Sequence, residues 1–222
     1  MDRLERFVAV TILTWSGLGT YLLISTTQDA ATTVTLPGWV PFWPVLTLPY
    51  LCMLAAGWLL PMAISSPERF RACLVAALIA FLLVASIWIL YPTKIERPPI
   101  PGGWWSAPYR IMVEADPPRC ILPSAHGIGA TAALWFIGLE RPRWRWTLAA
   151  ALALGSCSIA VVGQHRPMDI LIGLAVSALG ICIGQALCAG DPEHPPQPAA
   201  PPTSRCTTTS RAQRLHSRRA SR

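Results

Sequence analysis

Two histidines stand out in a chain that is otherwise largely apolar. His126 closes the stretch Leu122-Pro-Ser-Ala-His126, and His165 lies in Gln164-His-Arg-Pro-Met-Asp169. A third polar island, Tyr91-Pro-Thr-Lys-Ile-Glu-Arg-Pro98, precedes both. Imidazole is the side chain whose ordinary pKa lets it act near neutrality as base, acid or nucleophile. His165 and Asp169, four residues apart, can meet on one side of a helix start. A carboxylate on one ring nitrogen fixes the tautomer, leaves the other nitrogen available and stabilises the imidazolium that forms. His165 is therefore a candidate nucleophile and Asp169 its orienting partner. His126 is a candidate proton donor for a leaving alkoxide, help typically worth about 10² to 10⁴ in rate.

The neighbouring residues suit an anion. Pro123-Ser124 reads as a helix start, with Ser124 as N-cap and His126 in the first turn. Pro167 is tolerated in a first turn, which sets His165 just before a helix that Asp169 enters. Two helix N-termini would then offer unpaired N–H groups, and Arg97 adds a planar fork of donors suited to phosphate. Taken singly, each residue has a plainer role: a helix-end histidine caps or snorkels, and an acid in a first turn serves the helix dipole. Their coincidence is what points to chemistry. His194 and His216 lie far from it, in the C-terminal tail.

The elements that must hold these groups are membrane elements. Of 222 residues, 53% are hydrophobic and only 13% are charged, against about a quarter charged in soluble domains. That excludes an ordinary soluble domain. The net charge of +7 sits in short loops and the tail, with no basic stripe interleaved with aromatics, so no nucleic-acid partner is expected. The seven cysteines are scattered singly, which argues against a metal site or disulfide framework.

Six apolar runs can be marked: Phe7 to Ser25, Phe42 to Ile64, Ala72 to Tyr91, Ile121 to Leu139, Trp146 to Val162 and Ile170 to Ala189. A span needs about 20 residues, and the fourth reaches that length only by including its Pro-Ser-Ala-His start. The first run also resembles a signal peptide, with basic residues before it and Ala30-Ala31 after it, but its core is longer than the usual 7 to 15 residues. The expected fold is an all-α bundle of six transmembrane helices. Residues 1–40 form the first helix and outer loop, 41–189 the membrane-embedded core, and 190–222 a tail rich in Pro, Ser, Thr and Arg that is disordered by composition.

Counting Lys and Arg by loop sets the orientation. With the N-terminus inside, the inner loops and tail hold thirteen basic residues and the outer loops five: Lys94, Arg97, Arg110, Arg119 and Arg166. All three polar islands then fall on the outer face. The expected location is the plasma membrane, with both termini cytoplasmic and the basic tail drawn to anionic headgroups. Trp104, Trp105 and Tyr109 in the second outer loop are read equally as interface anchors or as the border of a lipid access route.

At these residues the chain resembles the type 2 phosphatidic acid phosphatase superfamily, whose pattern is KxxxxxxRP, then PSGH, then SRxxxxxHxxxD. Arg97-Pro98, Pro123-Ser124-x-His126, and Ser158 with His165-x-x-x-Asp169 match in order. The first Lys position falls on Leu90, Gly on Ala125 and the third-motif Arg on Ile159. With Tyr91-Pro92-Thr93, Asp116-Pro117-Pro118 and Gln164-His165, the chain looks more like the inositolphosphotransferase branch related to inositolphosphorylceramide synthase.

The resemblance covers roughly Pro44 to Ala189. It implies a phosphohistidine at His165, protonation of the leaving group by His126, orientation of His165 by Asp169, and phosphate held by Arg97 and Ser124. No metal or cofactor is implied. Lys94 or Arg166 would have to replace the two missing cations. The implied activity is metal-independent phosphatase or phosphotransferase action on a membrane lipid phosphate, with water or a polyol or lipid hydroxyl as acceptor. The missing cations also fit a membrane protein whose site has decayed.

Overall fold

In a chain this apolar the backbone N–H and C=O groups must be satisfied internally, and helices do so within one segment. The computed structural model describes residues 2–27 and 32–189. The tail from 190 to 222 and the Ala30-Ala31 pair lie outside the described residues. The described chain is mostly helical: α1 (Arg3–Thr27), α2 (Thr47–Leu59), α3 (Pro67–Leu90), α4 (Ala107–Ala115), α5 (Ile128–Glu140), α6 (Arg145–Val161) and α7 (Pro167–Cys188).

Five helical segments are long and apolar enough to cross a membrane: α1, α3, α7, and α2 and α6 with their flanking 3₁₀ turns as Pro44–Ala63 and Pro142–Val161. α5 is apolar but has 13 residues, about 20 Å at 1.5 Å per residue, against a hydrocarbon core of about 30 Å. The run expected to be helical from Ile121 is therefore helical from Ile128 onward.

α3 and α7 form the closest pair. Ala72, Ala76 and Ala80, one turn apart on α3, meet the glycine face of α7. A Cβ on Gly180 would stand 2.6 Å from the Ala76 carbonyl oxygen. Small residues are what let two apolar helices approach this closely without a hydrophobic force between them. α1 packs mainly on α3, and α5 is enclosed by α2, α3, α6 and α7.

At one end Glu140 accepts from the Ser65 and Ser66 N–H groups (2.8 and 2.9 Å), while Arg6 donates to the Ile64 and Ser65 carbonyls. These bonds tie α1 and α5 to the start of α3. At the opposite end, β1 (Thr32–Val34) and β2 (Thr93–Ile95) pair in parallel, Thr32 opposite Thr93. An antiparallel bridge joins Lys94 to Arg119. Three loops distant in sequence are thereby gathered at the end that carries the two histidines.

Candidate active site

The segment before α5 is non-helical because its N–H groups are claimed by other parts of the chain. Thr93 is buried in β2; its carbonyl accepts from Cys120 N–H (3.0 Å) and its Oγ1 from Ile121 and Leu122 N–H (3.2 Å each). Pro123 has no N–H, and Ser124 N–H goes to the Asp169 carbonyl at 3.0 Å. Trp88 Nε1 donates to the Pro123 carbonyl at 3.0 Å. Irregular backbone among apolar helices is tolerated where protein satisfies it in this way. Ser124, expected as an N-cap, is thus not one: Gly127 holds that position, and His126 precedes the helix.

His165 arrives from the other side. α6 closes with Gly163 at φ +76°, whose N–H bonds the Ala160 carbonyl at 3.0 Å. A left-handed residue just past a helix end costs glycine least, and it turns Gln164 and His165 back into the bundle. α7 then starts with Arg166 as N-cap and Pro167 next, as the sequence suggested.

The two rings meet. His165 is 2% exposed, and its Nδ1 lies 2.7 Å from the Ile121 carbonyl oxygen. A carbonyl only accepts, so Nδ1 carries the proton and the neutral ring presents its lone pair at Nε2. That nitrogen is 2.8 Å from His126 Nδ1, which therefore donates to it. The ring centroids are 4.7 Å apart at 71°, and the Tyr50 ring packs 5.3 Å from His126. Ser124 Oγ is 3.5 Å from His126 Nδ1, at the outer limit of a hydrogen bond. Both imidazoles lie in loops outside the helices. Burial holds His165 well below its ordinary 6.5, aided by His126, Arg97 and Arg166.

The other expected site residues are placed differently. Asp169, fully buried, does not orient His165: it accepts from Arg166 N–H (2.9 Å), Nε (3.0 Å) and Nη2 (2.7 Å). His165 precedes the N-cap, so the four-residue helical spacing does not apply, and the carboxylate closes the first turn of α7 instead. The Asp169 and Ile170 N–H groups both bond the Arg166 carbonyl (3.0 and 3.3 Å), so these donors of the first turn are not aimed at an open anion site. Arg166, a proposed replacement cation, is held in this pair. Lys94, the other, is exposed because its neighbours Thr93 and Ile95 take the inward positions of β2. Arg97 is 7% exposed and donates to Asp116 Oδ2 (2.8 Å), Gln164 Oε1 (2.6 Å) and the Asp116 carbonyl; its Nε has no partner. Tyr109 is buried, donating to the Pro98 carbonyl at 3.2 Å, whereas Trp104 is 89% exposed.

Three participants were not singled out as site residues from sequence. Asp116 receives both Arg97 and the Tyr21 hydroxyl, Gln164 bridges Arg97 to the His165 loop, and the Ile121 carbonyl fixes the His165 tautomer. Tyr21 and Asp116 are polar residues in or beside apolar helices, which is the signal that marks functional candidates; the carbonyl has no sequence signal.

Asp116, Gln164, His126 and His165 line one end of a cavity of about 500 Å³ whose walls are otherwise mainly apolar side chains of α1, α2 and α3. This is the size of a small-molecule site, with few polar groups at one place. Among the described residues no group of three or more His, Cys, Asp or Glu side chains is disposed to hold a metal ion. Compared with known protein families and with curated proteins, the chain matches none.

Proposed function

We propose that the protein is a membrane-embedded phosphatase or phosphotransferase of the type 2 phosphatidic acid phosphatase kind, acting on a lipid phosphate ester at His165. The observation that carries this is the His126–His165 contact at the polar end of an apolar cavity. It puts an available Nε2 lone pair beside a second imidazole in a place a lipid headgroup can reach.

In the first step the His165 Nε2 lone pair attacks phosphorus, a P–N bond forms, and the ester P–O bond breaks. His126, doubly protonated once the phosphate's negative charge favours its imidazolium, gives a proton to the departing oxygen. In the second step water or a hydroxyl attacks phosphorus, His126 takes its proton, and the P–N bond breaks. The phosphoryl group has to enter between the two rings, replacing their mutual hydrogen bond. Its charge competes with Asp116 for the Arg97 fork, and Arg119, which donates to the Ser25 carbonyl at 3.1 Å, lines the same cavity. Asp169 supports the nucleophile indirectly, by fixing the start of α7.

On this proposal α5 and the buried segment before it make a sixth crossing. The histidine end faces outward from the plasma membrane, and the termini and basic tail lie in the cytoplasm. Cysteine labelling near Trp104 and in the tail then reports opposite sides; labelling of both from the cytoplasm overturns this topology. The engagement of Arg97, Arg166 and Asp169 with one another or with Asp116 favours a second reading, a lipid-binding membrane protein without catalysis. Purified protein given a panel of lipid phosphates, with and without inositol or another polyol acceptor, separates the two. The enzyme releases or transfers phosphate, forms an acid-labile phosphohistidine, and loses both in His165→Ala. Equal turnover by wild type and His165→Ala ends the proposal.

A further inference from the structure

The cavity does not stop at the histidines. Val10, Leu13, Thr14, Gly17, Leu18 and Tyr21 of α1 all face it, a spacing of three and four that is a single stripe of the helix. From Val10 to Tyr21 the stripe covers about 16 Å at 1.5 Å per residue, close to half of the roughly 30 Å hydrocarbon core, the depth of one leaflet. Across from it stand Tyr50, Leu54, Trp58 and Pro61 of the second span, and Leu74, Ala77 and Phe81 of α3. Tyr21 and Tyr50 mark the polar end and Val10, Trp58 and Pro61 the far end. There Trp58 is fixed by a hydrogen bond to Thr11 Oγ1 (3.3 Å) and by the Phe7 ring at 6.0 Å.

The walls are asymmetric. α1 is packed on α3 but touches α2 sparsely. Leu18 and Leu22 on α1 and Leu51 and Leu54 on α2 line the cavity and are also exposed, at 38 to 42%. The cavity is therefore open sideways between α1 and α2, in the plane where lipid tails lie.

We infer that this cavity is a seat for one hydrocarbon chain of a membrane lipid, admitted laterally between α1 and α2, with the chain's polar end at His126 and His165 and its length limited by Trp58. Three features select this occupant: an apolar slot one leaflet deep, a polar terminus at only one end, and a side opening onto lipid. Gly17, midway along the stripe, contributes no side chain; the three atoms nearest a Cβ there all belong to the Phe81 ring, at an ordinary contact of 3.7 to 3.9 Å, so a larger residue fits the helix packing yet enters the slot. That the headgroup is a phosphate ester rests on the function proposed above. The chain seat does not.

The test uses single-chain alkyl phosphates of graded length carrying a terminal photoreactive diazirine, incubated with the full-length protein in vesicles, with labelled residues mapped by peptide mass spectrometry. The labelled position moves from the Gly17 turn toward Val10 as the probe lengthens. Gly17→Leu removes labelling at Val10 and Leu13 by the longest probe, and Trp58→Ala extends it to Phe7. These shifts run in opposite directions, which general misfolding does not produce. Wild-type protein that shows no turnover yet keeps this pattern loses only the enzymatic proposal. Labelling that ignores chain length, or falls on outward residues such as Ile12 and Leu82, overturns the inference.

Discussion

Replacing Asp169 with Asn separates two roles for one carboxylate. As an orienting partner of His165 it would act on the reaction itself, and loss of the corresponding carboxylate in a serine-protease triad costs about 10⁴ in kcat. As built, it bonds Arg166 three times and His165 not at all. Asn keeps an acceptor for the Arg166 N–H but gives up the paired contacts to the guanidinium. Removing one partner of a fully buried ion pair costs about 3 to 5 kcal/mol. Arg166 is 28% exposed, however, so its released charge reaches water and the expected cost is about 1.5 to 3 kcal/mol, that of a hydrogen bond to a charged group. Asp169→Ala, which also loses the acceptor at the helix start, costs about 1 kcal/mol more. Thermal unfolding in detergent measures the stability, and the pH profile of kcat/KM measures the nucleophile. The acid limb stays in place in Asp169→Asn. A double-mutant cycle with Arg166→Met should recover most of the lost stability as coupling between the two residues. Unchanged unfolding together with a thousandfold loss of kcat would refute this account and restore Asp169 to His165.

Other outcomes follow from the same contacts. Because burial and neighbouring charge depress the pKa of His165, the unfolded chain binds more protons than the folded one just below pH 6.5, and stability falls as pH drops through that window. The acid limb of kcat/KM accordingly lies below 6.5, and in His126→Ala, assayed with an activated aryl phosphate that needs little proton donation, it moves up toward 6.5; an unmoved limb shows that His126 does not act on His165. Thr93→Val leaves the Ile121 and Leu122 N–H groups without Oγ1, a cost of about 1 to 3 kcal/mol for each group left unsatisfied, while Thr93→Ser keeps the acceptor and unfolds near wild type. Gly173→Ala sets a Cβ 2.2 Å from the Ser124 carbonyl oxygen; the expected loss is about 1 to 3 kcal/mol, with turnover falling as the His126 segment is displaced, and a variant as stable and active as wild type contradicts the packing described.

The apolar runs were legible because length and lack of charge are properties of the local sequence. Five of the six correspond to helical segments long enough to span, and the sixth is shortened where Thr93, Asp169 and Trp88 take up its backbone, partners too distant in sequence to anticipate. The convergence of His126 and His165 was legible from alternation of the runs. Asp169 was assigned to His165 by a spacing rule valid only inside a helix, and the break at Arg166 cancels it. Arg97 looked available because its partner, Asp116, lies nineteen residues on. The α1 stripe was hidden for a different reason: in a helix apolar on every side, residues facing a cavity show no contrast with those facing lipid.

The small-residue seam between α3 and α7 divides the bundle mechanically. Both loops that carry the histidines hang from it, one through Trp88 at the end of α3, the other through Pro167 at the start of α7. A backbone-to-backbone contact of this kind leaves little room for sliding, so the distance between the rings is set by the stiff half of the molecule. On the proposed function, the movement that admits a lipid belongs to the side bounded by α1, and the parting of the two rings is left to their side chains rather than to the backbones that carry them.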